Sequence, residues 1–317
     1  MKTCNRSYEP IVHDIVAREL RAGAIRLTPI PTYPDSVVYE GTADERSVIF
    51  KGVDVAGADP DGIALEVWSL ESARREDVAV PRVLSVDLSG SLFPASFFVM
   101  EKVDGVPFDE IAESTADIKP VVVELGEALR RLHEVRLSGA GWLDEQLYRR
   151  TGEVRGIHES WPSALSAAVP DALDYLDGVL SRDQALTLRE QVDVVISRLP
   201  EVDQPVLLHG DFGQTHVYVD RDVSRMMGIV DFGERSAGDW VWDLCEWETP
   251  STLGSLLSGY GPPDEGFDLI RRLDEYVLIK AVPWAAKWHR RGELQVIDWL
   301  RSAVARHESG GSRFGVQ

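Results

Sequence analysis

The hydrophobic pattern of this chain changes character near residue 103, and this change limits the possible folds more than any other feature. Before it, segments rich in β-branched and aromatic residues alternate with turns, which is typical of strands. Beyond it, apolar residues recur at helical spacing through most of the chain. The Gly- and Pro-containing segment 101–107 separates the two patterns. We therefore predict an α+β fold with a β-rich N-terminal lobe (1–103) and a mostly helical C-terminal lobe (104–317).

The individual elements follow from these periodicities. In the N-terminal lobe the predicted strands are 36–40, 47–53, 83–88 and 95–100, and the predicted helices are 11–23 and 61–76. In the C-terminal lobe the predicted helices are 118–135, 184–199 and 267–306. The segment 205–233 departs from the helical pattern, because apolar runs at 206–208, 217–219 and 226–230 predict short strands, the last two as a hairpin.

Composition excludes several classes of function. The 317 residues carry a formal net charge of -20, which argues against nucleic-acid binding because that activity requires a basic surface. The charge permits attraction of cationic substrates, with an acidic solvating surface as the alternative. Two cysteines, Cys4 and Cys245, cannot make a disulfide framework, so a reducing compartment is expected. Residues 1–10 show no apolar signal segment and no run approaches 18 apolar residues, so we expect a cytoplasmic protein that binds neither membrane nor nucleic acid.

Three polar side chains within 205–233 form a pattern suited to phosphoryl transfer: Asp211, His216 and Asp231. Asp211 follows an apolar run and a glycine, where a carboxylate can orient an attacking hydroxyl and take its proton. His216 and Asp231 are candidate ligands for a magnesium ion that binds the phosphates, although Mg²⁺ prefers oxygen ligands. The alternatives are a turn aspartate, a structural histidine and a satisfied carboxylate at a strand end.

The motifs around these residues resemble the signature of the aminoglycoside and macrolide phosphotransferases, which are small-molecule antibiotic kinases. The resemblance rests on motifs that occur in the family's order: His209-Gly-Asp211, His216, Val230-Asp-Phe232, Gly238-Asp239 and Asp243-Leu244. It implies a protein-kinase-like bilobal fold and transfer of the γ-phosphate of ATP or GTP to a hydroxyl, with Mg²⁺ as cofactor. It also implies that Asp211 is the catalytic aspartate and that His216 and Asp231 hold the metal. Asparagine is usual at the His216 position in aminoglycoside kinases, so histidine there is more like the macrolide kinases. The run Asp211-Phe-Gly-Gln214 is instead similar to hygromycin-type kinases, so both subfamilies stay open.

The same resemblance assigns an ion pair to the N-terminal lobe. Lys51 ends an apolar strand and matches the family lysine that binds the α- and β-phosphates. Glu66, in the following predicted helix, matches the glutamate that holds this lysine in place. Glu71 is the rival partner, and an ordinary surface lysine and glutamate are the alternative to both.

Further nucleotide-binding positions come from the resemblance alone. The segment that contains Met100, Glu101 and Val103 is similar to a kinase hinge, where backbone groups on an edge strand bind adenine and Met100 packs near the base. Residues 32–38 take the place of the phosphate-covering loop but lack its glycines, and Ser36 there would contact the β-phosphate.

The residues that indicate the acceptor molecule lie in the last third of the sequence, because the C-terminal helices shape the acceptor pocket in the family that the motifs resemble. Six of the nine tryptophans follow residue 239, among acidic residues. An aromatic and acidic wall suits a bulky cationic molecule, such as an amino-sugar antibiotic or a macrolide. The candidate contacts are Glu234, Asp239, Trp240, Trp284 and Trp288. Core packing is the alternative for the helical tryptophans.

Three positions resemble structural positions of the family. Asp239 and Asp243 are similar to residues that brace the catalytic loop, so bracing is the alternative to substrate contact for Asp239. His133 lies in a helical family pattern and is interpreted as a packing residue.

Four functions are compatible with these motifs. A phosphotransferase that acts on an aminoglycoside, macrolide or related antibiotic is the predicted function, and a metabolic kinase for a sugar or amino alcohol is the first alternative. A metal-dependent hydrolase with zinc ligands among His209, Asp211, His216 and Asp231 would leave Lys51 unexplained. A non-catalytic kinase-like binder rests only on His216 and the loop without glycines.

Overall fold

The computed structural model describes residues 8–32, 36–53, 62–111, 117–247, 250–261 and 267–312. The chain folds into two compact units. The first comprises Met1–Ala116, Glu145–Glu153 and Thr215–Gly233, and the second comprises Asp117–Asp144, Val154–Gln214 and Glu234–Gln317. Two later segments therefore pack with the N-terminal part of the chain. The lobe boundary between residues 103 and 104 stays a prediction.

An antiparallel sheet of five strands forms much of the first unit: β1 (Ile25–Ile30), β2 (Ser36–Ala43), β3 (Arg46–Val53), β4 (Val83–Asp87) and β5 (Phe97–Glu101). Their order is β1-β2-β3-β5-β4. β2 and β3 form a hairpin in which Val38 is opposite Lys51. The prediction that Met100 and Glu101 lie on an edge strand is wrong, because β5 pairs with β3 on one side and with β4 on the other.

Aromatic packing fixes the position of β3. Phe50 is fully buried and stacks on Phe97 of β5, with ring centroids 5.1 Å apart. Val12 and Ile15 of helix α1 (Glu9–Leu20) belong to the same buried cluster. Because successive residues of a strand point to opposite faces, Lys51 points away from the side on which Phe50 packs.

Two helices and a small sheet complete the first unit. Helix α2 is Ile63–Arg75, and the later helix α4 (Glu145–Thr151) contacts it. The hairpin predicted within 205–233 is present as β10 (Val217–Val219) and β11 (Met226–Ile229). The short strand β6 (Val106–Pro107) pairs with β10, which explains why the hairpin packs with the N-terminal part of the chain.

The second unit is mostly helical. Its helices are α3 (Lys119–Leu132), α5 (Trp161–Ala168), α6 (Pro170–Asp177), α7 (Arg182–Arg198), α8 (Pro250–Tyr260), α9 (Leu269–Arg290) and α10 (Val296–Glu308). Helix α3 buries Val121, Leu125 and Leu129, which recur at helical spacing. It packs closely on α8, since a Cβ added at Gly126 would lie 1.9 Å from the Leu256 oxygen.

A small antiparallel sheet in the second unit leads into the segment that contains His209 and Asp211. Its strands are β7 (Ala140–Leu143), β8 (Gly156–His158), β9 (Val206–Leu208) and β12 (Ser236–Gly238), in the order β8-β7-β12-β9. Ser236 of β12 is opposite Leu208 of β9 and Trp142 of β7. β9 therefore ends with its backbone held by a neighbouring strand, directly before His209.

The predicted α+β fold class is confirmed, with most predicted elements in place. The predicted helix 267–306 is instead two helices, α9 and α10. The chain turns between them at Gly292, whose φ of 94° lies in the left-handed region that favours glycine. No helix among the described residues has both the length and the apolar character that a membrane span requires.

Candidate active site

Lys51 is the centre of an ion-pair cluster in the first unit. Its Nζ donates to Glu66 Oε1 at 2.7 Å and to Asp231 Oδ1 at 2.9 Å. Three elements supply these side chains, because Lys51 lies on β3, Glu66 on α2 and Asp231 directly beyond β11 and Val230. The helix partner of Lys51 is thus Glu66, as the sequence predicts, rather than the exposed Glu71. We call Lys51, Glu66 and Asp231 the lysine cluster.

Electrostatics keep Lys51 charged. Burial by itself lowers the pKa of this ammonium, but the charges and hydrogen bonds of Asp231 and Glu66 outweigh burial and raise the pKa. Glu66 is only 4% exposed, so the helix glutamate is held away from water. A partly buried ammonium with two carboxylate partners can exchange one of them for phosphate oxygens without losing its charge.

Asp231 and His216 lie side by side in the same unit. Asp231 has a φ of 66°, and the N–H of Gly233 donates to its Oδ1 at 3.2 Å. His216 Nε2 is 3.9 Å from Asp231 Oδ2, and the N–H of Val230 donates to the His216 carbonyl at 2.9 Å. A half-exposed carboxylate beside an imidazole nitrogen fits the shared binding of a divalent cation, and the carboxylate is the donor that Mg²⁺ prefers.

The zinc-hydrolase alternative finds no support in the part of the chain that the structure describes. No three His, Cys, Asp or Glu side chains there are grouped so as to hold a metal ion. Protein zinc sites use at least three such ligands. A pair such as His216 and Asp231 fits an ion that takes its other ligands from water and phosphates, as Mg²⁺ does.

In the second unit, β9 leads directly into the loop that carries Asp211. Gly210 has a φ of 87°, and a Cβ there would lie 1.9 Å from the Glu234 carbonyl oxygen. Only glycine therefore fits this turn. Asp211 is partly exposed, its N–H donates to His209 Nδ1 at 3.3 Å, and its carbonyl accepts from Gly213 N–H at 2.8 Å. This backbone holds a carboxylate in an accessible loop.

Asp243 braces this loop from within the second unit. Its fully buried carboxylate accepts the N–H groups of His209 and Gly210, both at 2.8 Å. His133 Nε2 lies 3.2 Å from Asp243 Oδ2, and His133 Nδ1 lies 3.0 Å from the Tyr260 hydroxyl. The bracing role that the resemblance assigns to Asp243 is thus matched by its contacts.

The Asp243 network also corrects the interpretation of His133 as a packing residue. Burial by itself raises the pKa of Asp243, but the hydrogen bond and charge of His133, with His209 and Lys280, lower it. His133 is therefore a polar partner of the loop brace. Spacing gave no signal for this pair because 110 residues separate its members.

A comparison with protein-family models decides the family of this chain. Residues 34–276 match the model of the phosphotransferase enzyme family. The chain belongs to this family. The predicted resemblance and the predicted enzyme class, a small-molecule phosphotransferase, are confirmed.

Solved structures of antibiotic phosphotransferases are similar to this phosphotransferase throughout its length. A thermostable mutant of aminoglycoside phosphotransferase APH(4)-Ia in its apo form is 16% identical, with a TM-score of 0.71 over 94% of this chain and 99% of that one. Macrolide 2'-phosphotransferase type I is 18% identical, with a TM-score of 0.63 over 96% and 98%. Spectinomycin phosphotransferase APH(9)-Ia is 14% identical, with a TM-score of 0.65 over 93% and 95%. These matches confirm the protein-kinase-like fold.

The remaining nucleotide-binding candidates of the phosphotransferase lie on or beside the five-stranded sheet. Met100 and Glu101 end β5, and the N–H of Glu101 donates to the Arg82 carbonyl at 2.9 Å. The side chain of Val103 lies over Gly228, where an added Cβ would meet it at 3.2 Å. Ser36 begins β2, whereas residues 33–35 of the predicted phosphate loop lie outside the described residues. The roles of these residues stay predictions.

The two acidic residues that were predicted to contact the acceptor molecule, Asp239 and Glu234, differ in the burial of their carboxylates. Asp239 is buried, and its Oδ2 accepts from Arg272 Nη1 and from the Tyr276 hydroxyl, each at 2.6 Å. These contacts favour the bracing interpretation of Asp239 over substrate contact. Glu234 is more exposed and forms an ion pair with Lys287 at 2.9 Å.

The aromatic candidates belong to two clusters of rings. Trp240 stacks on Tyr260 with ring centroids 4.7 Å apart. Trp284 lies 4.8 Å from Trp299 and 6.1 Å from Trp288, so these rings join α9 to α10 as the packing alternative supposes. Trp284 nevertheless keeps 40% of its surface exposed, which leaves part of its ring accessible.

Proposed function

We propose that this phosphotransferase moves the γ-phosphate of ATP or GTP to a hydroxyl of a small molecule, and that the acceptor is an aminoglycoside, a macrolide or a related cationic antibiotic. The observation that carries the proposal is the lysine cluster. A charged lysine that is fixed by a helix glutamate and that contacts a metal-ligand aspartate is the arrangement kinases use to bind nucleotide phosphates.

The donor phosphates are bound in the first unit. Lys51 exchanges its contact with Asp231 for oxygens of the α- and β-phosphates, while Glu66 keeps the ammonium in place. Asp231 and His216 would hold Mg²⁺, which when bound neutralises charge on the phosphate oxygens. The hinge supplies backbone contacts to the base. Since the N–H of Glu101 is used within the sheet, its contribution falls to the carbonyl, with Val103 and Met100 beside the base and Ser36 at the β-phosphate.

Asp211 handles the acceptor hydroxyl. Its partly exposed carboxylate accepts a hydrogen bond from the hydroxyl, orients the attacking oxygen and takes the proton late in the transfer. The loop backbone that Asp243 braces keeps this carboxylate positioned before the acceptor arrives, which lowers the cost of alignment. Glu234 and the exposed part of Trp284 are the side chains best suited to a cationic acceptor.

Relatives in fold support the choice of acceptor and donor. One APH(4)-Ia structure is a ternary complex with AMP-PNP and hygromycin B, and the APH(9)-Ia structure holds ADP and spectinomycin. Aminoglycoside 2'-phosphotransferase-IIIa was solved as a GDP complex, which keeps GTP open as a donor. The cytosol, where both nucleotides are available, is the proposed location.

A nucleotide-consumption screen tests the proposal. The purified protein is assayed with Mg²⁺ and either ATP or GTP against aminoglycosides, macrolides, hygromycin-like compounds, nucleosides, sugars and amino alcohols. We expect turnover to rise only with particular cationic antibiotics, and mass spectrometry to find one added phosphate. Turnover with sugars or amino alcohols alone would instead identify a metabolic kinase.

An Asp211→Asn variant tests the catalytic aspartate. We expect kcat to fall by about 10²-fold or more while nucleotide affinity changes little, because only proton transfer and alignment are removed. Asp203→Asn is the matched control, since Asp203 is an exposed aspartate of the same unit. Wild-type turnover by Asp211→Asn would remove Asp211 from the mechanism.

A further inference from the structure

Helix α4 is a second support of the lysine cluster that the catalytic motifs do not contain. It follows β7 in the chain, yet it belongs to the first unit and contacts α2. Glu145, its first residue, is only 4% exposed. A carboxylate is buried at this level only where hydrogen bonds or charges compensate the loss of water, so its partners indicate what it does.

Glu145 binds the start of α2. Its Oε2 accepts the backbone N–H of Leu65 at 3.3 Å, across 80 residues of sequence. Leu65 lies in the first turn of α2, where N–H groups have no partner within the helix. The residue before the helix is Gly62, which has no side chain to cap it. Glu145 therefore supplies a carboxylate that accepts a hydrogen bond from the first turn of α2. Its negative charge is also stabilised by the positive end of the helix dipole.

The bound N–H belongs to the residue next to Glu66. Glu66 follows Leu65 directly, and its Oε1 accepts a hydrogen bond from Lys51 Nζ at 2.7 Å. A shift of the first turn of α2 would move Glu66 away from Lys51. The Glu145 contact consequently holds the backbone on which the lysine–glutamate pair depends.

The other oxygen of Glu145 connects the helix to the sheet. Oε1 accepts from Arg149 Nε at 2.8 Å, and Arg149 Nη2 donates to the Ser96 hydroxyl at 3.4 Å. The Ser96 carbonyl in turn accepts the N–H of Val53, two residues beyond Lys51 in β3, at 3.4 Å. One ion pair thus contacts the helix that carries Glu66 and the loop that holds the end of the strand carrying Lys51.

We propose that Glu145 and Arg149 are positioning residues for phosphoryl transfer, which set the distance between Glu66 and Lys51 by holding α2 against the sheet. Neither side chain belongs to the lysine cluster. Their catalytic effect rests on the proposed kinase function and is transmitted through Glu66. Loss of the pair leaves Lys51 charged but less precisely placed for the α- and β-phosphates.

A double-mutant cycle between Glu145 and Glu66 tests this role. We expect Glu145→Ala to weaken ADP binding and raise the nucleotide KM by about tenfold, the value of one charge-assisted hydrogen bond. The acceptor KM stays within about twofold, because the acceptor does not use the lysine cluster. In a Glu66→Ala background, adding Glu145→Ala has no further effect beyond about twofold, since the transmitting residue is already gone.

Control variants and an exchange measurement separate positioning from general stability. Gln146→Ala changes the neighbouring exposed residue of α4 and leaves the ADP affinity unchanged. Glu145→Gln keeps an acceptor oxygen for Leu65 and recovers part of the affinity that Glu145→Ala loses. Hydrogen exchange of the Leu65 amide accelerates in Glu145→Ala and not in Gln146→Ala.

Three results would overturn the proposal: multiplicative losses in the double variant, an acceptor KM that rises with the nucleotide KM, or unchanged exchange at Leu65. Failure of the kinase function is a distinct result, since the wild-type protein would then neither bind ADP nor turn over nucleotide. The exchange rate at Leu65 still decides in that case whether Glu145 holds α2.

Discussion

Asp231 combines a strained backbone with a central chemical position. Its φ of 66° is unusual for a residue other than glycine, although aspartate and asparagine tolerate this region better than other residues. Its Oδ1 accepts a hydrogen bond from Lys51 Nζ, and its Oδ2 lies 3.9 Å from His216 Nε2. The residue type is therefore restricted twice, once by backbone conformation and once by charge.

Replacing Asp231 with asparagine separates these two restrictions. We expect Asp231→Asn to lower kcat/KM by about 10²-fold or more, because it removes the negative charge that contacts Lys51 and that the proposed mechanism assigns to Mg²⁺ binding. Stability should fall by about 1 kcal/mol or less, since the ion pair is half exposed on the Asp231 side and asparagine accepts the same φ. Kinetics and urea unfolding measure the two effects.

Two comparison variants complete this experiment. Asp231→Ala should be about 1 kcal/mol less stable than Asp231→Asn, because alanine does not tolerate the left-handed conformation. Asp77→Asn is the matched control, since Asp77 is exposed in the same unit with a φ of 57°. If Asp77→Asn and Asp231→Asn lowered kcat/KM by the same factor, Asp231 would have no specific role in catalysis.

The buried Asp243 predicts a pH dependence of stability. Its pKa lies below the ordinary value of 3.8, so its ionised form stabilises the folded state above that pH. This contribution is lost as the pH falls through the folded-state pKa. We expect Asp243→Asn to cost about 3 kcal/mol at pH 7, because the amide cannot satisfy His209, Gly210 and His133 as the carboxylate does.

The difference in unfolding free energy between wild type and Asp243→Asn should therefore be constant at neutral pH and shrink below about pH 4. Urea unfolding of both proteins over this range measures it. His133→Phe, which removes one partner and keeps the ring, should show the same trend with a smaller amplitude. A difference that stays constant on acidification would show that Asp243 is not an ionised partner of the loop.

At the residue scale, the sequence predicted the roles of residues that lie in a recognisable motif. It did not predict the roles of residues that act through contacts distant in sequence. The Lys51–Glu66 pair was predicted because the two residues match the strand lysine and helix glutamate of the family that the motifs resemble. His133, Glu145 and Arg149 were not assigned their roles, because each acts on a residue that is remote in sequence. Polar residues at helix ends have many ordinary explanations, and only three-dimensional contacts choose among them.

At the scale of elements, the loop between β9 and Asp211 depends on one glycine. Gly210 needs a left-handed backbone and a close approach to the Glu234 carbonyl. Gly292 has a similar φ of 94° but no atom within 4 Å of an added Cβ. A substitution at Gly292 therefore introduces backbone strain alone, whereas a substitution at Gly210 introduces both backbone strain and a steric clash.

We expect Gly292→Ala to cost about 1–2 kcal/mol, which is the strain of the left-handed region alone. Gly210→Ala should cost at least about 2 kcal/mol more, because the backbone must also move away from Glu234. It should also lower kcat, since Asp211 moves with the loop. Thermal unfolding and turnover measure both, and equal stability of the two variants would contradict the close approach.

The strands that sequence predicted have β-branched, aromatic or apolar runs, from the long β2 and β3 to the short β9 and β10. β1 was not predicted, and Pro29 within it weakens the pattern; Pro is tolerated there because β1 lies at the sheet edge. β12 reads Ser-Ala-Gly and has no strand propensity of its own. It is a strand because β7 and β9 pair with it on both sides, so tertiary contacts decide its conformation.

For the whole molecule, the formal net charge of -20 is the property most relevant to substrate choice. A strongly acidic protein raises the local concentration of cationic ligands and repels anionic ones, and salt screens both effects. The proposed cationic acceptor and the anionic nucleotide should therefore respond to salt in opposite directions. An acidic surface that only keeps the protein soluble predicts no such difference.

We expect the KM of an aminoglycoside acceptor to rise severalfold between about 20 mM and about 500 mM salt, with kcat nearly unchanged, because screening weakens attraction before chemistry begins. The nucleotide KM measured in the same series should stay constant or fall, since screening also relieves repulsion between the acidic protein and the triphosphate. A neutral hydroxylated acceptor, if one is found in the screen, serves as the matched control and should show a flat KM. An aminoglycoside KM as flat as that of the neutral compound would mean that the acidic charge does not select the acceptor.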